Sequence, residues 1–169
     1  MFDDLDGLPL DLPPAAEALL KQAGQSWHDE AATEAKVKEA LALAPDALAA
    51  RIGVYKFYFY RHRWAEALPH AWSCVEFALG ALGLGGDWRR VGPADAAFVG
   101  TPVTLAPLPK LLMQCLIATG YVLARLNRIA ESEEALGKVV ELDPSDRLGA
   151  ARLLAVVRRG GVEEEDEPT

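Results

Sequence analysis

The chain has 169 residues, 51% of them hydrophobic, and a formal net charge of −8. That length suffices for one compact domain with a core and is short for two, and a composition led by Ala and Leu favours helix over strand. The acidic total disfavours nucleic acid as a partner, and two cysteines, Cys74 and Cys115, set in apolar stripes without CxxC spacing, argue against a disulfide framework and for a cytoplasmic location.

The charge is unevenly spread. Residues 1–50 carry ten acids and three bases, 51–128 four acids and nine bases, and 129–169 eleven acids and five bases. A positive middle flanked by acidic ends can meet an anionic partner or the chain's own tail. The N-terminus has acids where a secretory signal needs bases. No apolar run approaches the roughly 20 residues of a membrane span; the richest, 111–124, contains Gln114.

In chain order, 1–12 reads as a flexible or loosely docked acidic arm whose Phe2, Leu5, Leu8 and Leu10 are available to pack, and Pro13-Pro14 opens a first helix over 15–26. Asp29 caps a second helix at 30–43, with Val37 and Ala40 inward, and Pro45 ends it. A third helix covers 46–61. A fourth runs from about 65 to 82, a start that keeps Pro69 in the first turn, where its missing N–H costs little. The stretch 82–112 is broken by Pro93, Pro102, Pro107 and Pro109 and reads as a long insertion with one short helix near 95–99. Helices at 111–127 and 129–142 form a hairpin, Ser145 or Asp146 caps a last helix to about 159, and 160–169 is an acidic, disordered tail.

The hairpin Cys115 to Asp146 carries Gly120 and Leu123 on its first helix, Ser132, Leu136 and Val139 on its second, and closes on Pro144. This resembles the tetratricopeptide repeat, a helix-turn-helix of about 34 residues. Weaker copies end on Pro45, through Thr33, Val37 and Ala40, and run through Tyr58, Trp64, Ala67, Ala71 and Cys74, with bulky Tyr55 in the glycine place. Copies start near 14, 48 and 113, so the second interval carries 31 extra residues, the insertion. The resemblance implies an all-α, right-handed superhelical stack of antiparallel helix pairs, about seven helices, over 13–159, with the last helix as a cap.

It also implies a function. First helices of such repeats line a concave groove that holds a peptide or a partner helix. The expected groove positions are Ile52, Lys56, Phe59, Tyr60 and Arg63 in the second copy and Ile117, Tyr121 and Arg125 in the third, with Trp88, Arg89 and Arg90 of the insertion as a further contact. Another protein is the expected partner, in an adaptor or small-chaperone role. A homodimer built on the insertion and the apolar fourth helix is the alternative. The aromatic run 55–60 equally fits a buried core. No enzyme emerges: His70 and Cys74 share a helix face without a third metal ligand, and GLGLGG follows a helix instead of a strand, so neither metal nor cofactor is expected.

Overall fold

The computed structural model describes residues 5–99 and 106–160. Among them are seven α-helices and no strand: α1 (Pro14–Gln25), α2 (Glu30–Leu43), α3 (Leu48–Tyr60), α4 (Trp64–Ala81), α5 (Pro107–Arg125), α6 (Ile129–Leu142) and α7 (Ala150–Arg158). The fold is all-α, as the composition implies. Part of the acidic arm (1–4, with Phe2), the centre of the insertion (100–105, with Pro102) and the acidic tail (161–169) lie outside the described residues.

Helix α1 begins one residue before the expected 15 and α3 two residues after the expected 46, and three further starts differ for a local reason. α5 begins at Pro107, before 111, because prolines at its first and third positions lack only N–H groups that would have no acceptor inside the helix. α4 begins at Trp64, which places Pro69 inside the helix, where it cannot donate to the carbonyl of Ala65. α7 begins only at Ala150: Asp146 and Gly149 both take positive φ (52° and 81°) and form a turn first. The N-cap is therefore Gly149 instead of Ser145 or Asp146, although Asp146 Oδ1, from the turn before it, accepts the Ala151 N–H at 2.9 Å.

The chain divides into two compact units, Pro9–Phe77 and Ala78–Thr169 joined by the N-terminal turn at 5–8, with the boundary inside α4. In the first unit, α1 and α2 form a hairpin around Ala16, Ala40 and Ala44, on which Leu12, Leu19 and Leu20 pack. Its turn is held by buried Thr33, whose hydroxyl reaches the carbonyl oxygens of Ser26 (2.5 Å) and Asp29 (2.9 Å). Asp29 caps α2 as its sequence position suggests, accepting the Ala32 N–H at 3.1 Å. Helix α3 buries Leu48, Val54, Tyr55, Phe57 and Tyr58, so most of the aromatic run is core.

In the second unit, α5 and α6 form the more regular hairpin. A Cβ on Gly120 would sit 2.7 Å from Leu136 Cγ, so only glycine admits that side chain. Ser132, buried opposite, donates to the Gly120 carbonyl at 2.6 Å. Leu154 and Val157 of α7 close this core against Ala124 and Leu136. α5 is 19 residues long and holds an 18-residue stretch with a mean hydropathy of 1.3, long and apolar enough by composition to cross a membrane, contrary to the expectation that no run comes close; 67% of that stretch is buried, as in a core helix.

The described part of the insertion is ordered by this same unit. It makes two 3₁₀ turns, Trp88–Arg90 and Ala96–Phe98, the second close to the short helix expected at 95–99. Trp88, Val91 and Phe98 are buried. Lys138 of α6 donates to the Val91 carbonyl at 2.6 Å, and Arg89 pairs with Glu134 of α6.

Each unit repeats the same way of ending a helix. After α3, His62 takes φ 57° and the Arg63 N–H bonds back to the Tyr58 carbonyl; after α5, Asn127 takes φ 59° and the Arg128 N–H bonds back to the Leu123 carbonyl. The following residues repeat too: Arg63 pairs with Glu66, and Arg128 with Glu131. Both turns are left-handed caps that satisfy the last helical carbonyls and reverse the chain.

Gly120 and Gly24 should therefore respond oppositely to alanine. Gly120→Ala should lower the free energy of unfolding by about 1–3 kcal/mol through overpacking against Leu136. Gly24, whose Cβ would meet nothing within 4 Å, should gain about 0.5 kcal/mol in Gly24→Ala from helix propensity near a helix end. Urea unfolding followed by circular dichroism reads both.

Candidate functional site

A cleft of about 400 Å³ opens in the first unit, lined by Leu20, Ala23, Gly24 and Trp27 from α1 and its end, Val37 of α2, and Gly53, Lys56 and Tyr60 of α3. Its two walls follow from helical periodicity. Residues 20, 23 and 24 share one face of α1, with Trp27 in the turn just beyond its end, and 53, 56 and 60 share one face of α3. Ala23 and Val37 are buried and form the floor, whereas Trp27 (41% exposed) and Tyr60 (54%) stand at the rim.

Two glycines set its shape. A Cβ on Gly53 would lie 3.1 Å from Leu20 Cδ2, so Gly53 lets α1 and α3 approach. Gly24 has open space where a side chain would be, and that space is part of the cleft.

The rim aromatics are held by other rings. Trp27 meets Phe57 edge-on at 5.9 Å, and the Arg61 guanidinium lies 5.0 Å from its ring centre while donating to the Trp27 carbonyl. Tyr60 meets Phe59 edge-on at 5.3 Å, and Phe59 in turn meets Tyr55 and Trp64 at 5.5 and 5.4 Å. Such contacts position a ring at little entropic cost, which suits a binding wall.

Also in this unit, a polar cluster ties three helices together. Tyr58 donates to Glu34 Oε2 at 2.7 Å, and Arg63 donates to Glu34 at 2.8 Å, to Glu66 at 2.6 Å and to Glu30 at 3.1 Å. The Tyr58 hydrogen bond, and after it Arg63, hold the Glu34 carboxyl below its ordinary value. Burial first, and then the Glu34 carboxylate, push the Tyr58 phenol well above its own. His70 stacks on Tyr58 at 5.6 Å, and burial, with Lys38 behind it, pushes its imidazole down.

Of the residues expected to contact a partner, the structure places Lys56 and Tyr60 on the cleft and takes several others away from it. Ile52 is 4% exposed and belongs to the core. At 100° per residue it and Phe59 lie on a strip beside that of Gly53, Lys56 and Tyr60, and Phe59 is half-buried. Arg63 is engaged by the three glutamates of its own unit. Trp88 is 8% exposed, with the Arg89 guanidinium 4.8 Å from its ring centre, and Arg89 is bonded to Asp87 and Glu134. These three therefore brace the fold and present no free group.

Arg90 is exposed beside a smaller polar cavity of about 310 Å³ formed by Gly83–Asp87, Val91 and Asp95. Ile117 and Tyr121 are partly buried on the cluster that includes Leu154 and Val157 of α7, and Arg125 is half-buried. Cys74 is fully buried, and among the described residues no three His, Cys, Asp or Glu side chains gather as a metal site requires.

A protein of Azotobacter chroococcum mcd 1, described as an uncharacterized 19.8 kDa protein in the nifW 5′ region, is 36% identical over 164 residues, 96% of this chain and 91% of its own length. The chain belongs to that protein's family. No family model matches the sequence, and no solved structure matches it. The alignment spans nearly the full length of both chains and so includes residues of both units.

The sequence reading missed the α1 wall. The helix expected over 15–26 stops short of Trp27. The spacing Leu20, Gly24, Trp27 set against Gly53, Lys56, Tyr60 was the available signal, but it becomes meaningful only once α1 and α3 are known to be neighbours.

The polar cluster yields a pH prediction. Glu34 has a lowered value when folded, so its contribution is present above its ordinary value of 4.5 and is lost as pH falls through the folded value. Tyr58 has a raised value when folded, so its contribution is present below its ordinary value of 10 and is lost as pH rises beyond that. Tyr58→Phe should cost about 1 kcal/mol at neutral pH, narrow that deficit below pH 4.5, and abolish the Tyr58 share of the alkaline fall; denaturant titrations across pH measure all three.

Proposed function

We propose that this protein is a non-catalytic binding scaffold of the tetratricopeptide-repeat kind, acting in the cytoplasm as an adaptor or small chaperone, and that the cleft between α1 and α3 holds a peptide or helix of a partner protein. The observation that carries the reading is the cleft itself. It has an apolar floor, two braced aromatic rims and a glycine that leaves room for an incoming side chain. Its volume falls at the lower end of the roughly 300–1,000 Å³ of ligand sites, which suits a few side chains of a chain segment better than a large cofactor. The repeated helix ends after α3 and α5 support the repeat reading.

The relative's name offers a first partner to try. It places that protein in the nifW 5′ region, and neighbouring genes often serve one process, so the nifW product is a sensible bait beside extract from the protein's own cell.

Gly24→Leu separates binding from folding. It fills the cleft with a side chain that meets no packed atom at its Cβ, so the thermal midpoint should hold or rise while capture of the groove-bound partner falls at least about tenfold, a loss of some 1.4 kcal/mol. Tyr60→Ala should weaken the same capture. Undiminished capture by a folded Gly24→Leu protein would sink the groove reading.

A further inference from the structure

The glycine-rich stretch after α4 is anchored to the second unit. Trp88 and Val91 are buried, Lys138 of α6 donates to the Val91 carbonyl at 2.6 Å, and Arg89 pairs with Glu134. Beside these anchors lies the cavity of about 310 Å³. Gly83, Gly85 and Gly86 keep it open, since a Cβ at any of them would meet nothing within 4 Å. A braced, preformed hollow of this size is of the kind that holds a small molecule.

Its charges are the informative part. Asp87 is engaged, accepting the backbone N–H and the guanidinium of Arg89 at 3.0 and 3.2 Å. Asp95 is half-buried and closes a turn: its Oδ2 accepts the Gly92 N–H at 2.7 Å, and its own N–H donates to the Gly92 carbonyl at 3.0 Å. Its Oδ1 has no hydrogen bond among the described residues. The exposed Arg90 guanidinium has neither hydrogen bond nor ion pair among them. Lys138 and Glu141, which approach Val91 and Gly92 from α6, are paired with each other at 2.9 Å. The lining thus offers one unpaired cation and one unused carboxylate oxygen, with Leu84 and Val91 as its apolar part.

We infer that this cavity binds a free α-amino acid with an aliphatic side chain, its carboxylate meeting Arg90, its ammonium meeting Asp95 Oδ1 and its side chain lying against Leu84 and Val91. The site uses none of the cleft residues and does not rest on the groove reading. Charge selects the zwitterion. An anion alone, such as phosphate, would face two carboxylates with one free arginine to offset them, and a cation alone would face Arg90. A divalent metal ion wants about six oxygen ligands, and the lining supplies two carboxylates that are both already bonded. A ligand carrying both charges gives each free group a charge-assisted hydrogen bond.

The experiment titrates the full chain with L-leucine in a calorimeter. N-acetyl-L-leucine, which lacks the ammonium, L-leucinamide, which lacks the carboxylate, and inorganic phosphate are the comparisons. L-Leucine should bind one-to-one and at least about tenfold more tightly than either single-charge analogue. Arg90→Gln should weaken L-leucine by about tenfold and leave L-leucinamide unaffected, and Arg90→Lys should retain most of the binding. In Asp95→Asn the amide oxygen can still accept the Gly92 N–H, so the turn holds while the advantage of L-leucine over N-acetyl-L-leucine disappears. Gly85 does not share the positive φ of Gly83 and Gly86 (69° and 115°). Gly85→Val should therefore fill the cavity and abolish binding with the thermal midpoint unchanged.

No binding of L-leucine at millimolar concentration overturns the inference. So does an analogue that binds as tightly as L-leucine, or L-leucine binding that survives both Arg90→Gln and Gly85→Val in folded protein. Phosphate binding more tightly than L-leucine assigns the cavity to an anion and overturns it as well.

Discussion

Helices approach most closely where the facing residue is small or lacks a side chain, and this constraint recurs in both units of the protein. At Gly120 the approach is complete: Leu136 occupies the space a Cβ would need, and Ser132 satisfies the carbonyl exposed by the missing side chain. At Gly53 the approach is less tight but still close, with Leu20 Cδ2 3.1 Å from where a Cβ would stand. Gly24 is the exception that creates a site. No neighbour fills its space, so the device that closes a core at one hairpin leaves a cleft at another.

Charge divides along similar lines. Most of the arginines that look available in a linear reading are spent on holding elements together. Arg63 joins α2 to α4 through Glu30, Glu34 and Glu66, and Arg89 secures the insertion to α6 through Glu134. Exposed pairs of this kind contribute little individually, but Glu34 is also bonded by a buried tyrosine, and removing either partner would leave the other poorly solvated. Lys56 stands in contrast, as the one cation in an otherwise apolar cleft lining.

Much of the architecture was legible in sequence. The prolines at 45 and 144, the Asp29 cap, the apolar stripes and the repeated hairpin pattern are local signals, and each corresponds to an observed helix or turn. Helix starts were less legible where proline was involved, because one residue type serves as a first-turn residue in α5 and as an interior one in α4. The insertion was recognised by its prolines, yet its order depends on contacts to Glu134 and Lys138, forty to fifty residues away, that no local pattern announces.

The candidate site shows where that boundary falls. By itself the sequence determined helical periodicity, the placement of Tyr60 and Lys56 on one face of α3, and the glycines available for close packing, because these follow from spacing of about 3.6 residues per turn and from side-chain size. It could not determine which face of α3 stayed open. Ile52 and Phe59 are as apolar and as favourably spaced as Gly53 and Tyr60, but Ile52 is buried and Phe59 half-buried beside the cleft that Gly53 and Tyr60 line. Only the tertiary structure decided this, since exposure of a helix face depends on which neighbours cover it, and that is a property of chain segments distant in sequence.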